Sequence, residues 1–248
     1  MKKDNLGDRM KNNYENRAKT QLLRRTPVII RLDGKAFHTF TRGFKKPFDD
    51  IIIEAMQQTM LALCKNIQGC VLGYTQSDEI TLVLTDYNKL ETAAWFDYDV
   101  QKVCSVSASI ATLEFNKSYT QILQRKNILT PDFRALVRGA LFDSRCFNIP
   151  KEEVVNCILW RQQDAIRNSI NSVGQANFLH KELQGLSTKQ VLDKLLKEKN
   201  INWNSLPIYL QRGSCCIKKE VNELNSWFID TEIPIFKGEG REYIEKLI

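Results

Sequence analysis

The sequence predicts an α+β fold of the ferredoxin-like type, with elements in the order βαββαβ between about residues 28 and 149. Three observations carry this prediction. Short β-branched runs alternate with longer segments of helical periodicity, the second and third runs are close enough for a hairpin, and Pro150 closes the last run. We expect an N-terminal helix before this core and a helical annex after it, over about residues 150–248, within one domain of residues 1–248.

The predicted strands of the core are short apolar runs bounded by Pro, Gly or polar residues, as is typical of buried strands. They cover residues 28–32, 71–74, 80–84 and 141–149. Apolar side chains with helical spacing predict helices at about residues 50–66 and 95–115, and residues 116–139 are interpreted as a polar excursion.

Outside the core, apolar side chains recur every four residues from Leu6 to Leu22 and predict an amphipathic N-terminal helix that Pro27 closes. After Pro150 the pattern predicts helices at residues 151–173 and 187–198, with Ser187 or Thr188 as a cap. Further short strands are expected within residues 214–218 and 227–236.

The composition is that of a globular protein, because 43% of the 248 residues are hydrophobic and 26% are charged. No charge-free stretch approaches the roughly 18 apolar residues of a membrane span, and the first ten residues have no apolar signal-peptide core. We therefore expect a soluble cytoplasmic protein. Seven cysteines without a Cys-x-x-Cys pair, and only two histidines, argue against a disulfide framework or a structural zinc site.

The positive charge is concentrated at the N-terminus. Residues 1–25 hold eight basic and three acidic side chains, a net charge of +5, against +7 for the whole chain. This segment is a candidate contact for RNA or for a neighbouring subunit, and the alternative is a solvated helix face with a basic bias.

Two carboxylates are predicted to converge. Asp33 ends the first strand and Asp78 begins the third, and these strands are antiparallel neighbours in a βαββαβ sheet. Two Asp side chains and the carbonyl of Gly34 are hard oxygen ligands of the kind that Mg²⁺ takes together with phosphates. A pair of such ions supports phosphoryl transfer. The alternative is an ordinary turn at Asp33 and a polar hairpin loop at Asp78.

Basic residues near these carboxylates suit a triphosphate. Lys35 follows Asp33 closely, Lys45 and Lys46 precede a predicted helix start at Phe48, and amide groups there are candidate phosphate donors. His38 lies between two phenylalanines, and we expect it to be packed rather than to act as a ligand.

These motifs resemble the tRNA-His guanylyltransferase family over nearly the whole chain. The resemblance rests on the segments Arg31-Leu32-Asp33-Gly34-Lys35-Ala36-Phe37-His38, Lys46-Pro47, Gly73-Tyr74-Thr75-Gln76-Ser77-Asp78-Glu79, Phe142-Asp143-Ser144-Arg145, Trp160-Arg161-Gln162-Gln163-Asp164 and Arg212-Gly213. It implies a polymerase-type palm and nucleotide addition in the 3′→5′ direction at the 5′ end of tRNA. It also implies ATP and GTP or other nucleoside triphosphates as substrates, and a tetramer.

The resemblance also implies roles for individual residues. Asp33, Gly34 and Asp78 would hold two Mg²⁺ ions, and Lys46 matches a lysine linked to activation of the 5′ end. Arg145 matches an arginine near the triphosphate. The nucleotide site would be lined by Asp33, Gly34, Lys35, Ala36, Phe37, His38, Ser77 and Asp78.

One motif departs from the family pattern. Members specialised for tRNA-His carry His-Ile-Asn-x-x-x-Asn, where this chain has Ile166 at the His position, Asn168, and Ser172 at the final Asn position. The departure favours the guanylyltransferase-like branch, which resembles template-dependent 3′→5′ polymerases that repair 5′-truncated tRNA. Dedicated addition of G to tRNA-His remains the alternative.

Two other classes compete with this interpretation. A non-catalytic RNA-recognition module shares the topology, but it stacks bases on aromatic residues of its central strands, and residues 80–84 contain none. A palm-type nucleotidyltransferase or cyclase acting on free nucleotides would not need the basic N-terminal segment or the annex.

Overall fold

The computed structural model describes residues 5–127, 139–221 and 224–248. A six-stranded antiparallel sheet, in the spatial order β4-β1-β3-β2-β5-β6, forms its centre. The strands are β1 Val28–Gly34, β2 Cys70–Gln76, β3 Glu79–Leu84, β4 Phe142–Asn148, β5 Ser214–Val221 and β6 Leu224–Asp230.

The expected adjacency of the first and third strands is confirmed. In the antiparallel pair β1–β3, Ile30 lies opposite Leu82 and Asp33 opposite Glu79. Strands β2 and β3 form a hairpin whose turn consists of Ser77 and Asp78, because Gln76 already pairs with Glu79. This tight turn brings the start of β3 to the end of β1.

Helices cover both faces of the sheet, joined by short 3₁₀ turns. They are α1 Leu6–Asn13, α2 Phe37–Phe40, α3 Asp50–Asn66, α4 Val100–Arg125, α5 Lys151–Asn177, α6 His180–Leu183, α7 Thr188–Lys199, α8 Ile208–Arg212 and α9 Glu242–Glu245. No helix of the described residues is long and apolar enough to cross a membrane.

The alternation of side chains along each strand separates two cores. Ile30 and Leu32 of β1 pack with α3 and α4 on one face, whereas Ile29 packs with Val154 and Ile158 of α5 on the other. A third, smaller cluster lies between α5 and α7. Helix α5 therefore links the sheet to the C-terminal helices.

The N-terminal helix is shorter than its apolar spacing predicts. Helix α1 ends at Asn13, and Tyr14 leaves the helical region with φ −129° and ψ −67°. The stripe residues within α1 are unpacked among the described residues, since α1 buries no side chain and Leu6 and Tyr14 are 62% and 66% exposed. Leu22, beyond the helix, is the stripe residue that packs against the core. Without packing, the spacing alone does not sustain a longer helix.

The second core helix is displaced toward the C-terminus. It begins at Val100 because Asp99 caps it and accepts a hydrogen bond from the Lys102 amide at 3.0 Å. It then continues to Arg125, through part of the predicted polar excursion, because apolar residues such as Phe115 and Ile122 remain buried with helical spacing. The excursion's residues 128–138 lie outside the described residues.

The annex is not purely helical. Strand β5 pairs with β2, and β6 extends the sheet beyond it, so the C-terminal chain completes the sheet that the core begins. The expected strand at residues 214–218 is confirmed, and the one at 227–236 ends at Asp230.

Candidate active site

The two predicted carboxylates lie close together at one end of the sheet, Asp33 on β1 and Asp78 in the β2–β3 turn. The amide of Gly34 donates to the carbonyl of Asp78 at 3.0 Å, and Asp33 is the register partner of Glu79. The residue after Asp33 is thus bonded directly to Asp78, although Asp33 and Asp78 are 45 positions apart in sequence. This is the convergence that the topology predicts.

Both carboxylates stand in surroundings that disfavour their charged form. Partial burial raises the pKa of Asp33, and the nearby charges of Glu79 and Asp143 raise it further, whereas Arg31 and Arg145 act in the opposite sense. Burial also raises the pKa of Asp78, although the Ser77 hydroxyl, which donates to Asp78 Oδ1 at 3.0 Å, opposes this. Negative charge is therefore concentrated at this edge of the sheet.

The donor set fits a hard divalent cation. Among the described residues, the Asp33 carboxylate has no hydrogen-bond donor and no ion-pair partner, and Asp78 has only Ser77 and its own backbone. No cluster of three or more His, Cys, Asp or Glu suited to a metal occurs in the described ranges. Two carboxylates and a backbone carbonyl, completed by water and phosphate oxygens, suit Mg²⁺ rather than zinc.

A sharp turn follows Asp33. A Cβ added at Gly34 would lie 2.3 Å from Cδ2 of Phe37, so only glycine lets the ring fold back over the strand end. Ala36 then adopts φ 50°, in the left-handed region, and caps the short helix α2. The Phe37 ring is anchored among aromatic rings of three elements: Phe40, Phe115 and Phe142.

A cleft of about 420 Å³ opens beside Asp78. One wall comes from the segment between β1 and α3, and the other from α5 and α8. Its polar lining includes His38, Thr41, Lys45, Lys46, Asp49, Gln76, Ser77, Asp78, Asn168, Ser169, Ser172 and Gln211. The remaining wall is largely apolar and aromatic, a combination typical of pockets that hold a planar ring beside charged groups.

One expectation for this cleft is wrong. His38 is exposed at the cleft wall and is not packed between its phenylalanine neighbours, because α2 directs only Phe37 and Phe40 into the core. At the helix start after Lys46, Asp49 caps α3 and accepts from the amides of Ile51 and Ile52, so these two amides are not available to a phosphate.

The other expected residues divide between the cleft and the sheet. Lys46 and Ser77 line the cleft, whereas Lys35 and Ala36 are exposed in the turn after β1, outside the cleft lining. Arg145 lies on β4, directly opposite Arg31, and donates to Asp143 at 2.8 Å. Arg145 is therefore near Asp33 on the sheet face and outside the cleft.

An arginine network behind the carboxylates was not anticipated from the sequence. Glu79 is 6% exposed and accepts hydrogen bonds from Arg31 on β1 and Arg161 on α5. Asp143, in register with Asp33, is a further acidic residue of this site that the sequence pattern does not single out. The sequence offers one signal for this network: Glu79 follows Asp78 in one of the family-like motifs, and Arg161 follows Trp160 in another.

Comparison with known proteins agrees with this geometry. Residues 7–150 match the family model described as tRNAHis guanylyltransferase (Thg1). The probable tRNA(His) guanylyltransferase of Dictyostelium discoideum is 30% identical over 237 residues, which cover 90% of this chain and 86% of that protein.

Two solved structures resemble the chain over almost its full length. A bacterial tRNA(His) guanylyltransferase (Thg1)-like protein in complex with ATP has a TM-score of 0.87 and 45% identity, covering 98% of this chain and 99% of its own. A structure of the same description in complex with GTP has a TM-score of 0.81 and 42% identity, covering 98% of each chain. The chain thus belongs to the tRNA-His guanylyltransferase family of nucleotidyltransferases.

Proposed function

We propose that the protein adds nucleotides in the 3′→5′ direction to the 5′ end of tRNA, and that it repairs 5′-truncated tRNA with the opposite strand as template. The observation that carries this proposal is the proximity of Asp33, at the end of β1, to Asp78, in the β2–β3 turn, beside a cleft with two lysines. In this proposal the six-stranded sheet is a polymerase-type palm with a ferredoxin-like core.

The proposed reaction has two steps. A 5′-monophosphate end attacks the α-phosphorus of ATP or GTP and pyrophosphate leaves, unless a 5′-triphosphate is already present. The 3′-hydroxyl of the incoming nucleoside triphosphate then attacks the α-phosphorus of the activated end. A new phosphodiester bond forms, the hydroxyl loses its proton, and the nucleoside monophosphate or pyrophosphate leaves.

In this proposal, individual residues of the chain have the following roles in the two steps. Asp33, Asp78 and the Gly34 carbonyl would hold two Mg²⁺ ions, which stabilise charge on the attacking and leaving oxygens when bound. Lys46, with Lys45 beside it on the cleft wall, would bind phosphates during activation. Arg145 would meet the triphosphate from the sheet face. His38, Ser77 and the Phe37 ring would contact the nucleotide, as would the Lys35–Ala36 turn.

The nucleotide assignment has independent support, because the two similar bacterial structures carry ATP and GTP. The cleft provides what such a ligand requires: apolar and aromatic walls for the base, and cationic side chains for the phosphates. We also propose that the protein is a tetramer, as the family resemblance implies, and light scattering on the purified protein measures its oligomeric state directly.

The choice of branch rests on the wall contributed by α5. Asn168 and Ser172 line the cleft, and Ile166 packs in the apolar cluster between α5 and α7. Ile166 and Ser172 stand at the positions of the family's His and final Asn, so this wall lacks both of those side chains. An imidazole at position 166 would also bring a polar ring into the apolar cluster. The second candidate, dedicated G addition to tRNA-His, is favoured by the similarity to tRNA(His) guanylyltransferases.

The test uses labelled nucleoside triphosphates, Mg²⁺ and tRNAs that lack the first 5′ nucleotide, with each of the four bases on the opposing strand. Repair activity predicts addition of the complementary nucleotide in every case. If only full-length tRNA-His gains a nucleotide, and always G, the repair assignment is wrong and the second candidate holds.

A lysine variant separates the two steps. Lys46→Ala should lose extension of 5′-monophosphate tRNA by more than tenfold and retain extension of 5′-triphosphate tRNA. Lys65→Ala, an exposed lysine on α3, is the matched control and should leave both substrates unaffected. Equal losses on both substrates would contradict the activation role of Lys46.

A further inference from the structure

The side-chain carboxylate of Glu79, the residue after Asp78, accepts three hydrogen bonds from two arginines. Arg161 Nε donates to Glu79 Oε1 at 2.6 Å, and Arg161 Nη2 donates to Oε2 at 2.9 Å. Arg31 Nη2 donates to the same Oε2 at 3.0 Å. Glu79 and Arg161 are 6% and 4% exposed, so this bidentate pair is shielded from water.

Glu79 is connected through its backbone to both candidate metal ligands, Asp33 and Asp78. It follows Asp78 in the chain and is the register partner of Asp33 on β1. A displacement of its backbone therefore shifts one carboxylate through a covalent bond and the other through the β-ladder. Arg31, two residues before Asp33, ties the same side chain to β1.

Arg161 is itself fixed. It donates to Asp164 Oδ2 at 2.7 Å, and its guanidinium lies 4.4 Å from the centre of the Trp160 ring. Asp164 accepts in turn from Arg167. The next turns of the same helix supply Ala165, Asn168 and Ser172 to the cleft, so α5 carries both the clamp and a cleft wall.

We propose that Glu79 is a positioning residue and not a metal ligand: clamped by Arg161 and Arg31, it locks the β2–β3 turn to α5 and sets the spacing between the carboxylate pair and the cleft wall. An acidic residue beside Asp78 would otherwise be a natural third ligand. Here both of its oxygens accept from guanidinium groups, which use three of the roughly four acceptor sites of the carboxylate and whose positive charge repels an approaching cation.

This inference rests on the proposed function, and its test is a double-mutant cycle in the 5′-extension assay. Glu79→Gln and Arg161→Met should each lower kcat about 100-fold, the loss that follows a misplacement of about 1 Å. The double variant should be no worse than the more impaired single variant within about threefold, because the two residues act as one unit. Glu198→Gln, in the exposed Lys194–Glu198 pair of α7, is the control and should leave kcat unchanged.

Two further readouts do not depend on turnover. Binding of Mn²⁺, counted by electron paramagnetic resonance, should give the same number of ions for Glu79→Gln as for the wild type, whereas Asp78→Asn loses at least one. Hydrogen exchange of the Gly34 amide, which donates to the Asp78 carbonyl, should accelerate in Glu79→Gln and in Arg161→Met. If Arg161→Met does not fold, Arg161→Lys takes its place and should give an intermediate exchange rate.

The outcomes are distinguishable. If the wild type extends no tRNA, the proposed function fails, and the ion count and amide exchange still decide the role of Glu79. Loss of a Mn²⁺ ion in Glu79→Gln, with both ions kept in Arg161→Met, would make Glu79 a ligand. Unchanged kcat, or losses that multiply in the double variant, would overturn the positioning role.

Discussion

Substitution of Asp33 by Asn should stabilise the metal-free protein. Asp33 lies in register with Glu79 on β3 and with Asp143 on β4, so its charge faces like charges on both neighbouring strands. Opposed like charges cost about 0.2–1 kcal/mol per pair. Arg31 and Arg145 offset part of this, and solvent screens a half-buried group. We expect a net gain of about 0.5–1 kcal/mol, or about 1–4 °C in Tm for a chain of this size.

The pH dependence of this gain has a definite sign. Burial and neighbouring carboxylates raise the pKa of Asp33 in the folded state, so the stability it contributes is complete below its unfolded pKa and is lost as pH rises through the folded value. The advantage of Asp33→Asn should therefore be present at pH 7 and disappear by about pH 3.5, where the wild-type carboxyl is neutral.

Thermal and urea unfolding in EDTA measure the effect, with Asp193→Asn on the exposed face of α7 as the control without effect. Added Mg²⁺ should raise the Tm of the wild type and not that of Asp33→Asn, because only the wild type retains both carboxylates. A lower Tm for Asp33→Asn in EDTA at pH 7, or a gain independent of pH, would refute this reasoning.

Three further predictions concern packing, capping and thiol reactivity. Gly34→Ala should destabilise the protein by about 1–3 kcal/mol in urea unfolding, because its Cβ would lie 2.3 Å from the Phe37 ring; unchanged stability would show that the turn relaxes freely. Ser187→Ala should lower the free energy of unfolding by about 0.5–2 kcal/mol, because the cap of α7 is lost. Nucleotide addition should stay at the wild-type rate, and a loss of activity would contradict the separation of α7 from the site. Burial and the adjacent Cys104 thiol raise the pKa of Cys146 to about 12. Alkylation of Cys146 by iodoacetamide at pH 8 should therefore be at least about 100-fold slower in the folded protein than in the urea-unfolded chain, as measured by mass spectrometry.

The sequence predicts those parts of the fold that depend on local pattern. The β-branched runs identify β1 and β3, and the topology they imply predicts that Asp33 and Asp78 lie close together. Cap positions show the same locality, since Ser187 caps α7 as its residue type suggests. The strand runs and the cap depend on neighbours within a few residues, which the sequence displays directly, and the convergence of Asp33 and Asp78 follows from the strand order of the predicted topology.

The features that the sequence does not reveal depend on distant partners. Strand β5 joins the sheet beside β2 because of pairings about 140 residues apart, which no periodicity records. Glu79 meets Arg161 across 82 residues, and the Asp49 cap occupies two of the amides at the helix start that the sequence predicts as phosphate donors. The stripe residues of α1 have helical spacing but none of them is buried, so spacing alone overestimates the length of α1.

The most direct test of the central claim is single-turnover extension of 5′-triphosphate tRNA by the wild type, Asp33→Asn and Asp78→Asn at saturating Mg²⁺. The account predicts that each variant loses at least about 10³-fold in rate while remaining folded, with Asp33→Asn at least as stable as the wild type in EDTA. A rate within tenfold of the wild type in either variant would contradict the assignment of this carboxylate pair as the catalytic centre.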